Sequence, residues 1–398
     1  MDVKKAFIMT SSKKISWLYS LMYLIMLGAH SVSMHQMPGL YSVVYVLRII
    51  IFVSSIWIFF RAGFHTNKIQ RFLLVYLFFV ATSSLINQSD ERSAILSYIV
   101  TLVPLSIFMR RQYESSPKML FKSLTRPLEW LIILNFVLVI LYPDGVWQSY
   151  TDSGREKHIY FLGGNYNQMG SILLCACTTS VASAVYNNQF GLHYWIIIGV
   201  SIAQLLIVGS MTSVVGIITL AVAVMLISRR SSTWLLTLLI VLFLLYQTFI
   251  TFFLDTFRQI SWVQYFIQDV LDKELTFTGR DRIWESAKLL IEDRPIRGYG
   301  ICSSDWYRDK FRYSTPHNLV YSLFLKGGVF LFITTVCMVV NVIKKVYKSK
   351  GNVAFIFAIG LMVYLIMQVT EVYSFTYLAY LCMVIFLFAN NRTIYERH

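Results

Sequence analysis

Charged residues are scarce in this chain of 398 residues, at 14% of the sequence. Soluble domains carry about 25% charged residues. Hydrophobic residues make up 57% of the chain, and the formal net charge is +15. This composition excludes an ordinary water-soluble enzyme and a disordered chain, and it predicts that lipid is the main solvent of the protein.

Cysteine is also rare, with five residues in all. Four of them lie in apolar runs (Cys175, Cys177, Cys337 and Cys382), and only Cys302 lies in a polar stretch. A single polar-side thiol excludes a structural disulfide, and no CxxC spacing supports a metal site. No HExxH or paired-carboxylate spacing is present either, so the sequence predicts neither a metal nor a cofactor.

Long apolar runs recur through almost the whole chain. A run of about 17–25 residues is long enough for a helix to cross a bilayer. Twelve such runs lie near 15–32, 40–60, 70–87, 93–109, 127–142, 166–187, 192–210, 213–228, 232–254, 317–343, 352–370 and 374–389. They predict an all-α polytopic membrane protein with about 12 transmembrane helices.

The basic residues are distributed unevenly over the segments between these runs. With the N-terminus in the cytoplasm, the cytoplasmic segments hold 20 of the 35 lysines and arginines and only four acids. The opposite face holds 13 cations and 16 acids. The positive-inside rule therefore places both termini in the cytoplasm. The cytoplasmic lysines and arginines are explained by the orientation of the helices in the lipid bilayer. They form no pattern typical of nucleic-acid binding.

Two connections are long, and both lie on the extracytoplasmic side. One runs over 143–165, and the other runs over 255–316 with ten lysines and arginines and ten acids. Long loops of this kind are usually functional. The chain therefore divides into transmembrane helices 1–9 at 1–254, an extracytoplasmic loop at 255–316 that we expect to carry the function, and transmembrane helices 10–12 at 317–398.

The larger loop predicts two amphipathic helices. The first covers 256–275 and suits a membrane surface. The second covers 281–293, opens on a capping box from Thr278 to Asp281 and carries Trp284 on its apolar face. Arg280 then lies at the positive end of this helix, where a phosphate or pyrophosphate would bind. The other arginines of the loop are predicted to be mostly solvated or paired with the nearby acids.

His317 follows this loop at the start of the next apolar run. The segment Thr315-Pro316-His317-Asn318 places an imidazole where the chain re-enters the membrane. A histidine at a helix start is more often a structural hydrogen-bonding group than a catalyst. Next to an arginine-bearing loop on the same face, His317 becomes a candidate general base.

The order of several short motifs resembles the O-antigen ligase and polysaccharide polymerase superfamily. The motifs are Gly279-Arg280-Asp-Arg-Ile-Trp284, Pro295-Ile-Arg-Gly298-Tyr-Gly300, His317-Asn318, Lys326-Gly327-Gly328, Gly163-Gly-Asn165-Tyr-Asn167-Gln-Met-Gly170 and Gly209-Ser210-Met-Thr212-Ser213. The resemblance implies a GT-C-like glycosyltransferase in a bacterial cytoplasmic membrane. It would polymerise undecaprenyl-pyrophosphate-linked oligosaccharides of an O-antigen, capsule or exopolysaccharide, beside a chain-length regulator and a flippase of the same pathway.

The resemblance also implies roles for residues. Arg280 would hold the pyrophosphate, and His317 would activate the acceptor hydroxyl. Where the family usually carries a second arginine this chain has Met211, and Arg155 and Lys157 are candidate replacements. The predicted substrate-binding residues are Arg282, Arg297, Arg155, Lys157, Asn165, Asn167, Asn318 and Trp284.

Three alternatives to a polymerase stay open at this point. A ligase would transfer the same glycan to a different acceptor. A flippase or secondary carrier also fits twelve spans, and Arg48 and Lys326 inside the spans would then mark a polar pathway. Transporters concentrate their function near the bilayer midplane, whereas the polar residues here concentrate in the 255–316 loop. A scaffold protein is disfavoured for the same reason.

Overall fold

A computed structural model describes residues 16–28, 33, 36–61, 63, 65–150, 156–189, 191–226, 231–253, 260, 280–349 and 351–389. Its helices are α1 (Ser16–Gly28), α2 (Pro38–Arg61), α3 (Lys68–Ile86), α4 (Ser93–Ser115), α5 (Pro117–Leu141), α6 (Tyr166–Tyr186), α7 (Leu192–Ile207), α8 (Met211–Met225), α9 (Ser231–Thr248), α10 (Arg280–Asp293), α11 (Ser304–Phe311), α12 (Leu319–Lys348), α13 (Asn352–Met367) and α14 (Phe375–Ala389). α9 continues into a π-helical turn at Phe249–Phe253.

The chain is an all-α membrane protein. Within the described ranges, seven helices are long and apolar enough to cross a bilayer, namely α2 to α6, α9 with its π-helical turn, and α12. Five shorter apolar helices accompany them, namely α1, α7, α8, α13 and α14. These apolar helices coincide in the sequence with the twelve predicted hydrophobic runs. The all-α polytopic class is confirmed, whereas the predicted number of 12 transmembrane helices and the GT-C-like arrangement stay predictions.

The core of the bundle consists of α6, α13 and α14. Nearly every residue of α13 and α14 is buried, and 89% of the apolar window of α6 is buried. Helices that are hydrophobic on all sides belong to the interior of a bundle. By contrast, the apolar windows of α2 and of Thr233–Phe253 are only 17% buried, so these two helices present apolar side chains to the surroundings. Such exposed apolar faces suit lipid.

One end of the bundle carries the segment 280–318 and the connection 368–374, and we call it the loop end. The two segments meet there, because the Leu319 amide donates to the Gln368 carbonyl at 3.0 Å. The segment 280–318 also contacts the end of α3, where the Asn87 side chain donates to the Gly298 carbonyl at 3.1 Å. The short hairpin of β1 (Trp147–Tyr150) and β2 (Glu156–Ile159) is antiparallel, with Trp147 opposite Ile159.

Two glycines allow the chain after α10 to pack backbone to backbone against a kink in α12. Gly327 and Gly328 depart from helical geometry inside α12. Gly328 has φ +64°, and a Cβ there would lie 2.0 Å from the Ile296 carbonyl oxygen. Gly298 has φ +63°, and a Cβ there would lie 2.5 Å from the Leu325 carbonyl oxygen. Only glycine fits both positions, which explains why these two motifs occur together.

The predicted elements of the long loops are present in part. The helix predicted over 281–293 is confirmed as α10. The amphipathic helix predicted over 256–275 and the capping residue Thr278 lie outside the described residues. The structure adds α11 and the hairpin, which sequence periodicity did not predict because both are short. α12 begins at Leu319 rather than at 317 and continues to Lys348.

Candidate functional site

The connection 368–374 between α13 and α14 is fixed by hydrogen bonds from two other helices. The Asn318 side chain donates to the Val369 carbonyl at 2.9 Å. The Gln168 side chain, from the first turn of α6, donates to the Val372 carbonyl at 2.5 Å. Because both donors lie at helix starts, the connection is held firmly, and Glu371 projects from it.

Glu371 binds both predicted catalytic side chains, one on each carboxylate oxygen. Nη2 of Arg280 donates to Oε1, and Nδ1 of His317 lies 3.2 Å from Oε2. The Glu371 side chain is only 3% exposed, against 21% for Arg280 and 19% for His317. A buried carboxylate needs such partners, since desolvation of an unpaired charge is very unfavourable. We call these three residues the Glu371 cluster.

His317 has an unusual backbone conformation and an aromatic neighbour. His317 has φ +47°, a left-handed conformation that is uncommon for residues other than glycine. The ring makes an edge contact with Tyr313 at a centroid distance of 6.2 Å. In the tautomer that donates from Nδ1 to Glu371, Nε2 is an acceptor, and Nε2 has no hydrogen bond to any described residue. This arrangement suits proton acceptance from a hydroxyl group.

Arg280 is the first residue of α10. It therefore lies at the positive dipole end of that helix, beside the first backbone amides, which have no acceptor within the helix itself. One of its nitrogens donates to Glu371, and the guanidinium has further N–H groups that point in other directions. Guanidinium and helix amides together are suited to a phosphate or pyrophosphate.

Tyr373 lies beside the cluster in the same connection. Burial raises the pKa of its phenol far above the ordinary value, the Glu371 carboxylate raises it further, and Arg280 partly opposes this. Tyr373 is therefore a neutral phenol at physiological pH and adds no charge to the site.

An open groove of about 540 Å³ lies between α8, α9 and α13, beside the connection that carries Glu371. Its volume is within the range of about 300–1,000 Å³ that is typical of ligand sites. Tyr246 and Thr370 line the groove. Thr370 precedes Glu371, and the Tyr246 hydroxyl lies close to Thr370 and Arg280. The rest of the lining is mostly apolar and includes Met211, Val215, Leu239, Leu242, Val363 and Ile366.

Four further residues that the sequence predicted to bind substrate have different surroundings. Arg282 and Arg297 are exposed on α10 and on the segment that follows it. Trp284 is 2% exposed and lies in a small apolar core, where its indole N–H has no partner among the described residues. Asn318 is fully buried and caps α12 by accepting from the Val320 amide at 2.9 Å. The surroundings of Trp284 and Asn318 favour structural roles.

The remaining predicted residues belong to the 143–165 connection and the start of α6. Asn165 caps α6 by accepting from the Asn167 amide at 3.0 Å. Both asparagines therefore lie on the same turn as Gln168, which contacts the connection that carries Glu371. Arg155 and the side chain of Lys157 lie outside the part of the chain that the structure describes, so their roles stay predictions.

Glu371 itself was not predicted from the sequence, although a signal for it exists. It is the only acid between Asp309 and Glu396. A lone carboxylate in a short connection between two apolar runs is costly unless it has a partner. Its partners Arg280 and His317 are distant in the sequence, so only the fold reveals the pairing.

A second glutamate with a histidine partner lies toward the other end of the bundle. Glu129 of α5 accepts from the Ser180 hydroxyl at 2.6 Å, and Nε2 of His193 lies 3.2 Å from the same carboxylate oxygen. The Glu129 side chain is 14% exposed, and the His193 side chain is 57% exposed. We call these three residues the Glu129 cluster.

Neither cluster is an evident metal site, since the described residues contain no group of three or more His, Cys, Asp or Glu placed to hold a metal ion. Comparison of the chain with protein-family models, with curated proteins and with solved structures finds no match.

Proposed function

We propose that the chain is a membrane glycosyltransferase that polymerises polyprenyl-pyrophosphate-linked oligosaccharide repeat units. The observation that carries this proposal is the Glu371 cluster beside the groove. His317, which can act as a base, and Arg280, which can bind an anion, both contact the buried carboxylate of Glu371 there. The resemblance to the O-antigen ligase and polysaccharide polymerase superfamily assigns roles to the same arginine and histidine.

The groove suits the lipid part of the donor. Its apolar lining would accommodate a polyprenyl chain, and its polar side chains Tyr246 and Thr370 would place the pyrophosphate near Arg280. Met211, at the position where the resemblance places a second arginine, lines the groove and extends its apolar surface. In this proposal Arg280 and the amides of α10 hold the pyrophosphate.

The proposed reaction is a single displacement. The acceptor hydroxyl oxygen forms a bond to the anomeric carbon of the donor sugar, and its proton moves to Nε2 of His317. The bond between that carbon and the pyrophosphate oxygen breaks, and its electron pair leaves with the pyrophosphate. Arg280 stabilises the charge on the leaving group. One displacement inverts the anomeric centre, and no step requires a metal ion.

Glu371 acts as a positioning residue in this mechanism. Its carboxylate orients the imidazole through Nδ1 and stabilises the imidazolium that forms when Nε2 accepts the proton. It also holds Arg280 at the end of α10. The proposed base, His317, and the proposed pyrophosphate ligand, Arg280, therefore both depend on the Glu371 side chain.

The proposed location is the bacterial cytoplasmic membrane, with both termini in the cytoplasm and the loop end outside. The concentration of lysine and arginine in the connections opposite the loop end supports this orientation. The donor and acceptor would then meet on the outer face of the membrane.

A transfer assay tests the proposal directly. The purified chain in nanodiscs receives lipid-linked repeat units without added metal, and the products are separated by size. A ladder of products identifies a polymerase, a single transfer to another acceptor identifies a ligase, and substrate movement without bond formation identifies a transporter.

We expect Arg280→Ala and His317→Ala each to lower the transfer rate by about 10²–10³-fold, since each removes a contact made to the reacting groups. Matched controls are Arg308→Ala in α11, whose side chain is 45% exposed, and His193→Ala in the Glu129 cluster. Near-normal product length in both site variants would contradict the assignment.

A further inference from the structure

Arg48 is a buried arginine that the proposed reaction does not use. It lies in α2, is 5% exposed and donates from Nε to the Ile25 carbonyl at 3.3 Å. Its Nη2 has no hydrogen-bond partner among the described residues. A buried guanidinium with an unpaired nitrogen is costly at membrane depth, and such residues usually mark a functional site.

Among the described residues, the surroundings of Arg48 supply polar groups. The hydroxyl-bearing side chains of Tyr41, Tyr377 and Tyr45 lie near its guanidinium. No described carboxylate forms a salt bridge with Arg48. The positive charge is therefore left uncompensated by the described part of the protein, and an anion from outside the chain would complete it.

The guanidinium lies near the loop end of the neighbouring helices. Ile25 is within one turn of the last residue of α1, and Tyr377 is two residues after the start of α14. The Tyr377 hydroxyl donates to the Leu27 carbonyl at 3.1 Å, which joins these two helix ends. A long arginine side chain directs its charged group toward the nearer membrane surface in this way.

The host helix indicates where the anion comes from. α2 is among the least buried of the spanning helices, with 17% of its apolar window buried. Arg48 lies on its narrow buried stripe with Val44, Ile51 and Ser55, and the neighbouring Leu47 and Ile49 are exposed toward the bilayer. The anion available at this place is the phosphate of a lipid. The planar guanidinium binds phosphate oxygens in a bidentate manner and is more weakly hydrated than an ammonium group.

We infer that Arg48, between α1, α2 and α14, binds the phosphate group of a membrane lipid at the loop end. The lipid is either a phospholipid or a polyprenyl phosphate, which share this chemistry. The inference does not rest on the proposed reaction, because it requires neither a donor nor an acceptor sugar.

Native mass spectrometry of the delipidated full chain in neutral detergent tests the inference. The probes are a polyprenyl phosphate and phosphatidylglycerol, with polyprenol and diacylglycerol as matched lipids without phosphate. We expect the wild-type chain to retain at least one phosphate-bearing lipid over its neutral counterpart. The lipid preferred identifies the source of the phosphate, and a preference for either one supports the inference.

The matched variants are Arg48→Gln and Arg61→Gln, which remove the same charge from the same helix. Arg61 is exposed at the opposite end of α2. We expect Arg48→Gln to lower lipid occupancy by about tenfold, as for a lost charge-assisted hydrogen bond, and Arg61→Gln to leave it unchanged. Arg48→Lys should bind with intermediate occupancy, since it keeps the charge and loses the bidentate geometry.

Two results overturn the inference. Equal retention of phosphate-bearing and neutral lipids by the wild-type chain does so without any variant, which covers the case that Arg48→Gln fails to fold. Displacement of the bound lipid by inorganic phosphate at equal concentration would show that the free ion is the ligand.

Discussion

The Glu371 and Glu129 clusters contain the same pair of residue types. They differ in their third member, in the exposure of their histidine and in their surroundings. In each, one histidine contacts one glutamate at 3.2 Å. The third member is Arg280 in the Glu371 cluster and Ser180 in the Glu129 cluster. A cation next to the carboxylate can hold an anionic leaving group, whereas a hydroxyl only satisfies a hydrogen bond.

Exposure and surroundings separate the two clusters further. His193 is 57% exposed at the start of α7, whereas His317 is 19% exposed and has a left-handed backbone conformation. A groove also lies beside the Glu371 cluster, where it is lined by Thr370, the residue before Glu371. A glutamate–histidine contact alone is therefore a weak sign of catalysis, and the cation, the burial and the adjoining space make the difference.

Removal of each carboxylate charge should give the largest contrast between the clusters. We expect Glu371→Gln to lower the transfer rate by more than about 10²-fold, because the imidazolium and Arg280 lose their shared counter-charge. Glu129→Gln should leave the rate within about threefold of wild type. The measurement is product formation from lipid-linked repeat units, with the amount of folded protein normalised by gel filtration. Equal losses in the two variants would remove the distinction between the clusters.

A smaller contrast concerns the backbone packing that supports the loop end. Gly328→Ala places a Cβ 2.0 Å from the Ile296 carbonyl oxygen at a positive φ. We expect it to destabilise the fold by about 2–4 kcal/mol. At Gly199 of α7 an added Cβ would have no heavy atom within 4 Å. Gly199→Ala should therefore change the free energy of unfolding by less than about 1 kcal/mol. Thermal unfolding in detergent measures both, and similar unfolding temperatures would contradict the described packing.

The smallest effect concerns the protection of the loop end from water. Cys302 is 9% exposed, and burial together with the nearby Asp90 carboxylate raises the pKa of its thiol to about 12. Since the thiolate is the reactive form, a water-soluble maleimide should label Cys302 slowly at pH 8, and Ser304→Cys, at an exposed position, should add a fast-labelling thiol.

The direction of the pH effect follows from the same shift. The unfolded thiol titrates near its ordinary pKa of about 8.5, whereas the folded thiol keeps its proton to a higher pH. Its contribution to stability is therefore complete below about pH 8.5 and declines as the pH rises toward 12. Labelling of Cys302 at the rate of the added thiol would show that the loop end is open to water.

Local pattern was sufficient for the helices and insufficient for the site. The apolar runs predicted the positions of the helices, because the apolar character and the length of a run are local properties of the sequence. α10 was predicted for the same reason, with Arg280 at its start. Glu371 was missed, because its significance depends on partners 54 and 91 residues away.

Substrate roles were also assigned to residues whose environment the sequence did not reveal. Trp284 and Asn318 belong to short motifs, yet one is packed in a core and the other caps α12. A position in a motif does not show whether a side chain faces a ligand or supports the fold from inside. Only the residues around it in the folded protein show which of the two applies.

The sequence alone determined that this protein lies in a membrane as a set of apolar helices. The reason is that the composition and length of each apolar segment decide whether it is more stable in lipid or in water. The distribution of lysine and arginine predicted its orientation for a similar reason. Tertiary structure decided which charges meet. A carboxylate in one short connection gains an arginine and a histidine from distant segments because the kink in α12 and the caps of α6 and α12 bring those segments to the same end of the bundle.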